Sequence, residues 1–158
     1  MDPSDGHTTE LVLSIEECDA VRAALTEVTR PGDGEQAPSL NYLLARWRGL
    51  VNEAEEAYPW CASEFSNDLY CRDMLGEVWP LLPPRARRIV QPDLDRIDER
   101  YRRATVPWPG RPEDGAQWWQ WRVPRRIEIE ASEQRDPDWP MGWAMMPFPR
   151  PTSVEVVT

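Results

Sequence analysis

The chain has 158 residues, 41% of them hydrophobic, and a formal net charge of −10, which suits one domain with a core of its own rather than a disordered segment. All 18 basic residues are arginine and there is one histidine, His7. These counts exclude Schiff-base chemistry, a P-loop lysine, Ser–His and Cys–His nucleophile pairs and multi-histidine metal sites.

Residues 1–9 read as a polar, acidic tail unlike a secretory leader, with His7 solvated in it. The alternation of Leu11 and Leu13 suggests a short strand. Ser14 and Glu17 then match a capping box, and Ile15, Cys18, Val21, Ala24, Leu25 and Val28 keep helical spacing up to the turn chemistry of PGDG at 31–34. A second helix is predicted over 39–58. Ser39 is its N-cap, its stripe is Leu40, Leu43, Leu44, Trp47, Leu50, Val51 and Ala54, and Glu53, Glu55 and Glu56 occupy its solvated face.

A third helix is predicted over 66–82, with Tyr70, Met74, Leu75 and Val78 as its apolar face. The Pro83–Pro84 pair closes it and opens a fourth over 84–104. There Ala86, Ile89, Val90, Leu94, Ile97, Tyr101 and Ala104 share a face. Pro92 is expected to kink or split this helix, and Asp98–Arg102 and Glu99–Arg103 have the spacing of i,i+4 ion pairs. The core list is Leu43, Leu44, Trp47, Leu50, Val51, Leu75, Val78, Val90, Leu94 and Ile97.

Beyond Thr105 the helical period is lost, and nine of the 17 prolines fall from Pro107 onward, so this part is extended or looped. Segments 127–129 and 154–156 alternate and could pair with 11–13 in a small sheet. The expected fold is therefore mainly α: a four-helix core over 10–105 and an irregular Trp- and Pro-rich wrap over 106–158, together one domain. A small edge sheet would make it α+β. Cys18, Cys61 and Cys71 are odd in number, contain no CxxC pair and lie in or beside apolar segments. They read as buried, reduced thiols of a cytoplasmic protein. No apolar run approaches the roughly 18 residues of a membrane span.

Charge is segregated. Residues 1–58 hold 12 acids and four arginines, whereas 83–126 hold 11 arginines and six acids. Within the basic part lies QWWQWRVPRR, residues 117–126. Four readings of it compete. As a strand it would put Trp119 and Trp121 on one side and Trp118 on the other, packing the core. As a docking surface it would use the Trp and Arg enrichment of binding hot spots, helped by the stiff segment of Trp139, Met141, Trp143, Met145, Met146 and Phe148. Base stacking beside arginines fits single-stranded nucleic acid, but the net charge opposes it. Carbohydrate stacking lacks convergent polar groups.

No catalytic, cofactor or metal motif is present, and Asp93, Asp95, Asp98 and Glu99 sit among arginines, which favours their ionised form over acid catalysis. The sequence is accordingly read as a non-enzymatic protein–protein interaction module, an adaptor, regulator or inhibitor of another protein, without cofactor, metal or membrane. Trp119, Trp121, Arg122, Arg125 and Trp143 are its candidate contacts. A small enzyme using carboxylates in a cleft is the alternative, and single-stranded nucleic-acid binding the third reading.

Overall fold

Helix α1, Ile15–Thr29, begins where the capping box requires. The Glu17 N–H donates to Ser14 Oγ at 3.1 Å and the Ser14 N–H to Glu17 Oε1 at 3.0 Å, so two of the otherwise unpaired first-turn donors are satisfied. The protein is described here by a computed structural model over residues 12–158. The predicted tail, His7 and Leu11 lie outside these residues, and 12–14 form no strand.

Helix α2, Leu40–Glu56, is capped by Ser39, whose Oγ accepts the Tyr42 N–H at 3.0 Å. It buries Leu43, Leu44, Trp47, Leu50, Val51 and Ala54, the stripe read from the sequence apart from half-buried Leu40. The third predicted helix begins and ends four residues earlier than expected and is broken. It comprises α3, Ala62–Asp68, and α4, Tyr70–Val78, with a hinge at Leu69. Polar residues around Phe65 hide α3 from a periodicity reading, yet Ala62, Phe65 and Leu69 all turn inward. Tyr70 is exposed, at the margin of a face on which Cys71, Met74, Leu75 and Val78 are buried, which corrects the placement of Tyr70.

Helix α5, Pro84–Ala104, runs unbroken through Pro92. The expectation of a split fails because Pro92 is exposed, so water can serve the carbonyl that loses its donor. Leu94, Ile97 and Tyr101 anchor the following turns in the core. Of the core list, only Val90 is not buried; it is half-exposed at the helix margin.

After α5 the chain makes two small sheets. Strand β1, Thr105–Pro107, pairs antiparallel with β2, Arg122–Pro124. Strand β3, Arg126–Glu128, pairs in parallel with β4, Glu155–Val157. On its other side β3 bridges Tyr58, which exchanges hydrogen bonds with Arg126 and Glu128 at 2.9 Å each. The backbone just after α2 thus extends the sheet, and two of the three alternating segments do pair. One connected core joins Leu43, Trp47, Val51, Leu75 and Ile97 of the helices to Trp119, Val123, Ile127, Trp139, Trp143 and Val154. The fold is mainly α with minor β. Among the described residues no helix is long and apolar enough to cross a membrane.

The cysteines divide in a way the sequence did not show. Cys18 and Cys61 are exposed, Cys71 is buried, and none is bonded to another. Burial pushes the Cys71 thiol up to about 12, and its S–H donates to the Asp68 carbonyl at 3.1 Å. Because the thiolate is the reactive form, a thiol reagent at pH 8 should label Cys18 and Cys61 promptly and Cys71 only after unfolding. Mass spectrometry of the labelled native protein checks this; a third fast label would place Cys71 outside the core.

The tryptophan island and the surfaces beside helix α3

The island is not a strand. Gln117, at φ 57°, turns the chain into a 3-10 helix over Trp118–Trp121, in which Trp118 and Trp121, at i,i+3, share a side and Trp119 takes another. Trp119 goes inward. Its Nε1–H donates to Asp73 Oδ1 at 2.7 Å, its carbonyl accepts the Tyr101 hydroxyl at 2.7 Å, and the Arg72 guanidinium lies 4.0 Å from its ring centroid. Gln120 adds a second hydrogen bond to the same Asp73 oxygen at 2.7 Å.

Arg72 is itself buried and donates through Nε and Nη2 to the two oxygens of Asp98, at 2.9 and 3.0 Å. The Trp47 indole N–H reaches Asp98 Oδ1 at 2.9 Å. Asp98 therefore pairs across the core with Arg72 rather than along its helix with Arg102, while the predicted Glu99–Arg103 pair forms at 3.3 Å.

The other two indoles are covered by arginines. Arg102 lies 3.6 Å over Trp118 and Arg111 lies 4.1 Å over Trp121. Trp121 also meets Trp108 edge-on, with ring centroids 5.1 Å apart. Among the described residues Arg122 forms no ion pair with a carboxylate. Its Nε donates to Thr105 Oγ1 at 2.7 Å, and its Nη2 to the carbonyls of Arg102 and Thr105 at 3.0 and 3.1 Å. A cation here satisfies carbonyls at the C-terminal end of α5 and complements the helix dipole. Burial draws the Arg122 pKa below the ordinary guanidinium value.

Trp143 is 1% exposed and packs against Tyr58, Phe65 and Trp139. Of the five residues read from the sequence as contacts, Trp119, Arg122 and Trp143 are thus interior, Trp121 is half-buried and Arg125 is exposed. Arg125 donates to the Arg103 carbonyl at 3.2 Å. A partner approaching the folded surface can reach only the last two. The strand geometry assumed for the island would have kept Trp119 and Trp121 on one side, and the 3-10 turn separates them.

What the island does build is the wall of a cavity of about 290 Å³, enclosed by α3, Trp108, Trp121 and the 143–147 segment. Phe65, Leu69, Met145 and Met146 are among its apolar lining residues, and Asp73 and Gln120 among its polar ones. The indole N–H groups of Trp108 and Trp143, both of which line it, are buried and have no partner among the described residues. An unsatisfied buried donor costs roughly 1–3 kcal/mol.

Across α3 lies a groove of about 360 Å³ with a different character, lined by Arg46, Glu53, Trp60, Glu64 and Asp68. Asp68 accepts the Tyr58 hydroxyl at 2.7 Å and Glu53 the Trp60 indole N–H at 3.5 Å. Burial, the hydrogen bond to Asp68 and the charges of Asp68, Glu53 and Glu64 hold the Tyr58 phenol far above its ordinary pKa. Those three carboxylates therefore act on one small volume. The two sides of α3 follow from helical spacing: Glu64 and Asp68 are i,i+4 on one face, and Ala62, Phe65 and Leu69 are on the opposite one.

A larger groove of about 680 Å³ runs between α1 and the 35–40 segment. Its two charged side chains are engaged, Arg22 with Asp19 and Glu35 with the Gly32 N–H. Among the described residues no three His, Cys, Asp or Glu side chains form a cluster able to hold a metal ion. The chain matches no protein-family model, no curated protein and no solved structure.

The seat of Trp119 also explains Gly76 in the middle of α4. A Cβ built there would lie 2.8 Å from Trp119 Cη2, so glycine is kept despite a helix propensity about 1 kcal/mol poorer than alanine. Gly76→Ala should lower stability by about 1–3 kcal/mol, against the propensity trend. Trp119→Ala should cost about 3–5 kcal/mol and Trp121→Ala clearly less. Urea denaturation of the three variants measures this; equal losses at 119 and 121 would contradict the inward and outward assignment.

Proposed function

We propose that this chain is a non-enzymatic protein-interaction module, an adaptor or regulator, whose docking face is the surface around α3. One observation carries the reading. Among the described residues, four of the large exposed apolar side chains lie on α3, its flanks and the segment against it: Trp60, Tyr70, Met141 and Met145, the last 69% exposed. Gly142 sits against Cys61, and the Ser63 hydroxyl donates to Met145 Sδ at 3.7 Å, which joins the 141–146 segment to α3. Exposed apolar surface gathered beside an apolar cavity is a signature of partner sites, and methionine surface adapts to the shape of what it meets.

The other readings draw less support. Stacking of nucleic-acid bases needs open aromatic faces and uncommitted cations, whereas Arg102 and Arg111 cover Trp118 and Trp121 and Arg122 caps α5. Carboxylate catalysis needs acids aimed at a substrate, and Glu53 and Asp68 are already acceptors for Trp60 and Tyr58. A reducing, cytoplasmic setting accords with exposed, unbonded Cys18 and Cys61.

Panning a phage-displayed library of random short peptides on the purified protein tests the proposal. Enriched peptides should share an apolar or aromatic anchor residue and shift the indole N–H resonances of Trp108, Trp121 and Trp143. Met145→Asp should fold normally and bind the enriched peptides roughly tenfold or more weakly. Absence of enrichment, or undiminished binding to Met145→Asp, would remove the basis for this docking face.

A further inference from the structure

Helix α3 is a ridge between an apolar cavity and an acidic groove, and the geometry points to a partner segment that straddles it: an apolar anchor side chain in the cavity beside Trp121 and Met145, and an arginine or lysine in the Glu53–Glu64–Asp68 groove. This inference rests on the docking function proposed above and names the chemistry of the partner.

The first support is charge complementarity. The groove carries three carboxylates against one guanidinium, that of Arg46, which forms no ion pair among the described residues. The chain as a whole stands at −10, a field that attracts a cationic partner and speeds its encounter. Glu64 is exposed and has no hydrogen bond or ion pair among the described residues, and the Trp60 indole at the rim is 55% exposed. A guanidinium or ammonium entering the groove meets carboxylate oxygens and an aromatic face together, the two environments a side-chain cation favours.

The second support comes from the cavity, independently of charge. Its lining includes Trp143, 1% exposed, whose indole N–H has no partner among the described residues. The Trp108 indole N–H is likewise buried and without a partner among the described residues. Phe65, Leu69, Met145 and Met146 surround the cavity with apolar and adaptable side chains, which suits an apolar anchor side chain.

The crossing is short. One helix with its side chains is about 10 Å across, and Ser63 and Asn67 form the exposed edge between the two lined faces. An extended chain rises about 3.3 Å per residue, so the anchor and the cation should stand about three residues apart. Ser63 holds Met145, so the partner's backbone would pass on the side of exposed Asn67.

The test uses the full chain and peptides enriched from the random library, resynthesised with a fluorescent label and titrated by anisotropy. The expected peptides carry an arginine or lysine about three residues from the apolar anchor. Glu53→Gln with Glu64→Gln should weaken their binding roughly tenfold or more and flatten its dependence on salt, with a wild-type melting curve. Replacing the peptide cation by glutamine should weaken binding to the wild-type protein and have little further effect on the double variant. Peptides that bind Met145-dependently but carry no cation, or whose affinity ignores the double variant, overturn this inference and leave the docking function standing. Peptides that are insensitive to Met145→Asp overturn both. Tight binding of a divalent cation that blocks the peptide's charged end would reassign the groove to a metal and also overturn the inference.

Discussion

A guanidinium taken out of water has to be met on every side, and the way this chain meets that of Arg72 ties its parts together. Two of its donors go to Asp98 on α5, the Trp47 indole of α2 completes that carboxylate, and the Trp119 ring lies against the guanidinium. Asp73, the next residue of α4, takes the Trp119 indole N–H. One buried ion pair thus holds three helices and the island to each other. Removing one partner of such a pair costs about 3–5 kcal/mol, because the other charge is left stranded. Gly76 and the 3-10 turn at Trp118–Trp121 are consequences of the same demand, since both exist to bring an indole onto Arg72.

The island's mixed composition then has a physical account. Its tryptophans do not act as one surface. The inward indole completes the core, and Arg102 and Arg111 cover the other two. Arg122 serves the end of α5. The basic character of residues 83–126 is largely spent on carbonyls, rings and carboxylates. The uncommitted surface lies elsewhere, at α3, where apolar and acidic faces meet across a single helix.

The helices were legible because their signals are local. Ser14 and Ser39 cap as their spacing requires, and the stripe of α2 is buried apart from its first residue. Helix α3 was hidden because one phenylalanine in a polar run carries no period. The inward turn of Trp119 was hidden because it depends on Arg72 and Asp73, more than forty positions away in the chain. The pairing of Asp98 failed for the same reason: a neighbour at i+4 was visible, and a better partner on another helix was not. Met141, Met145 and Met146 were legible as an adaptable apolar segment, but which helix they would lie against was not, because no periodic pattern links them to α3.

Hydrogen exchange of the indole N–H groups, followed by NMR on the native protein, tests the central claim most directly. If Arg72 and its ring of partners bind the C-terminal third into the helical core, the Trp119 and Trp47 indole protons will exchange as slowly as the slowest backbone amides of α2 and α5, at the rate of global unfolding. Exchange of Trp119 at a rate close to that of exposed Trp60, while Trp47 stays protected, would mean that the island opens independently of the helices and would contradict the account.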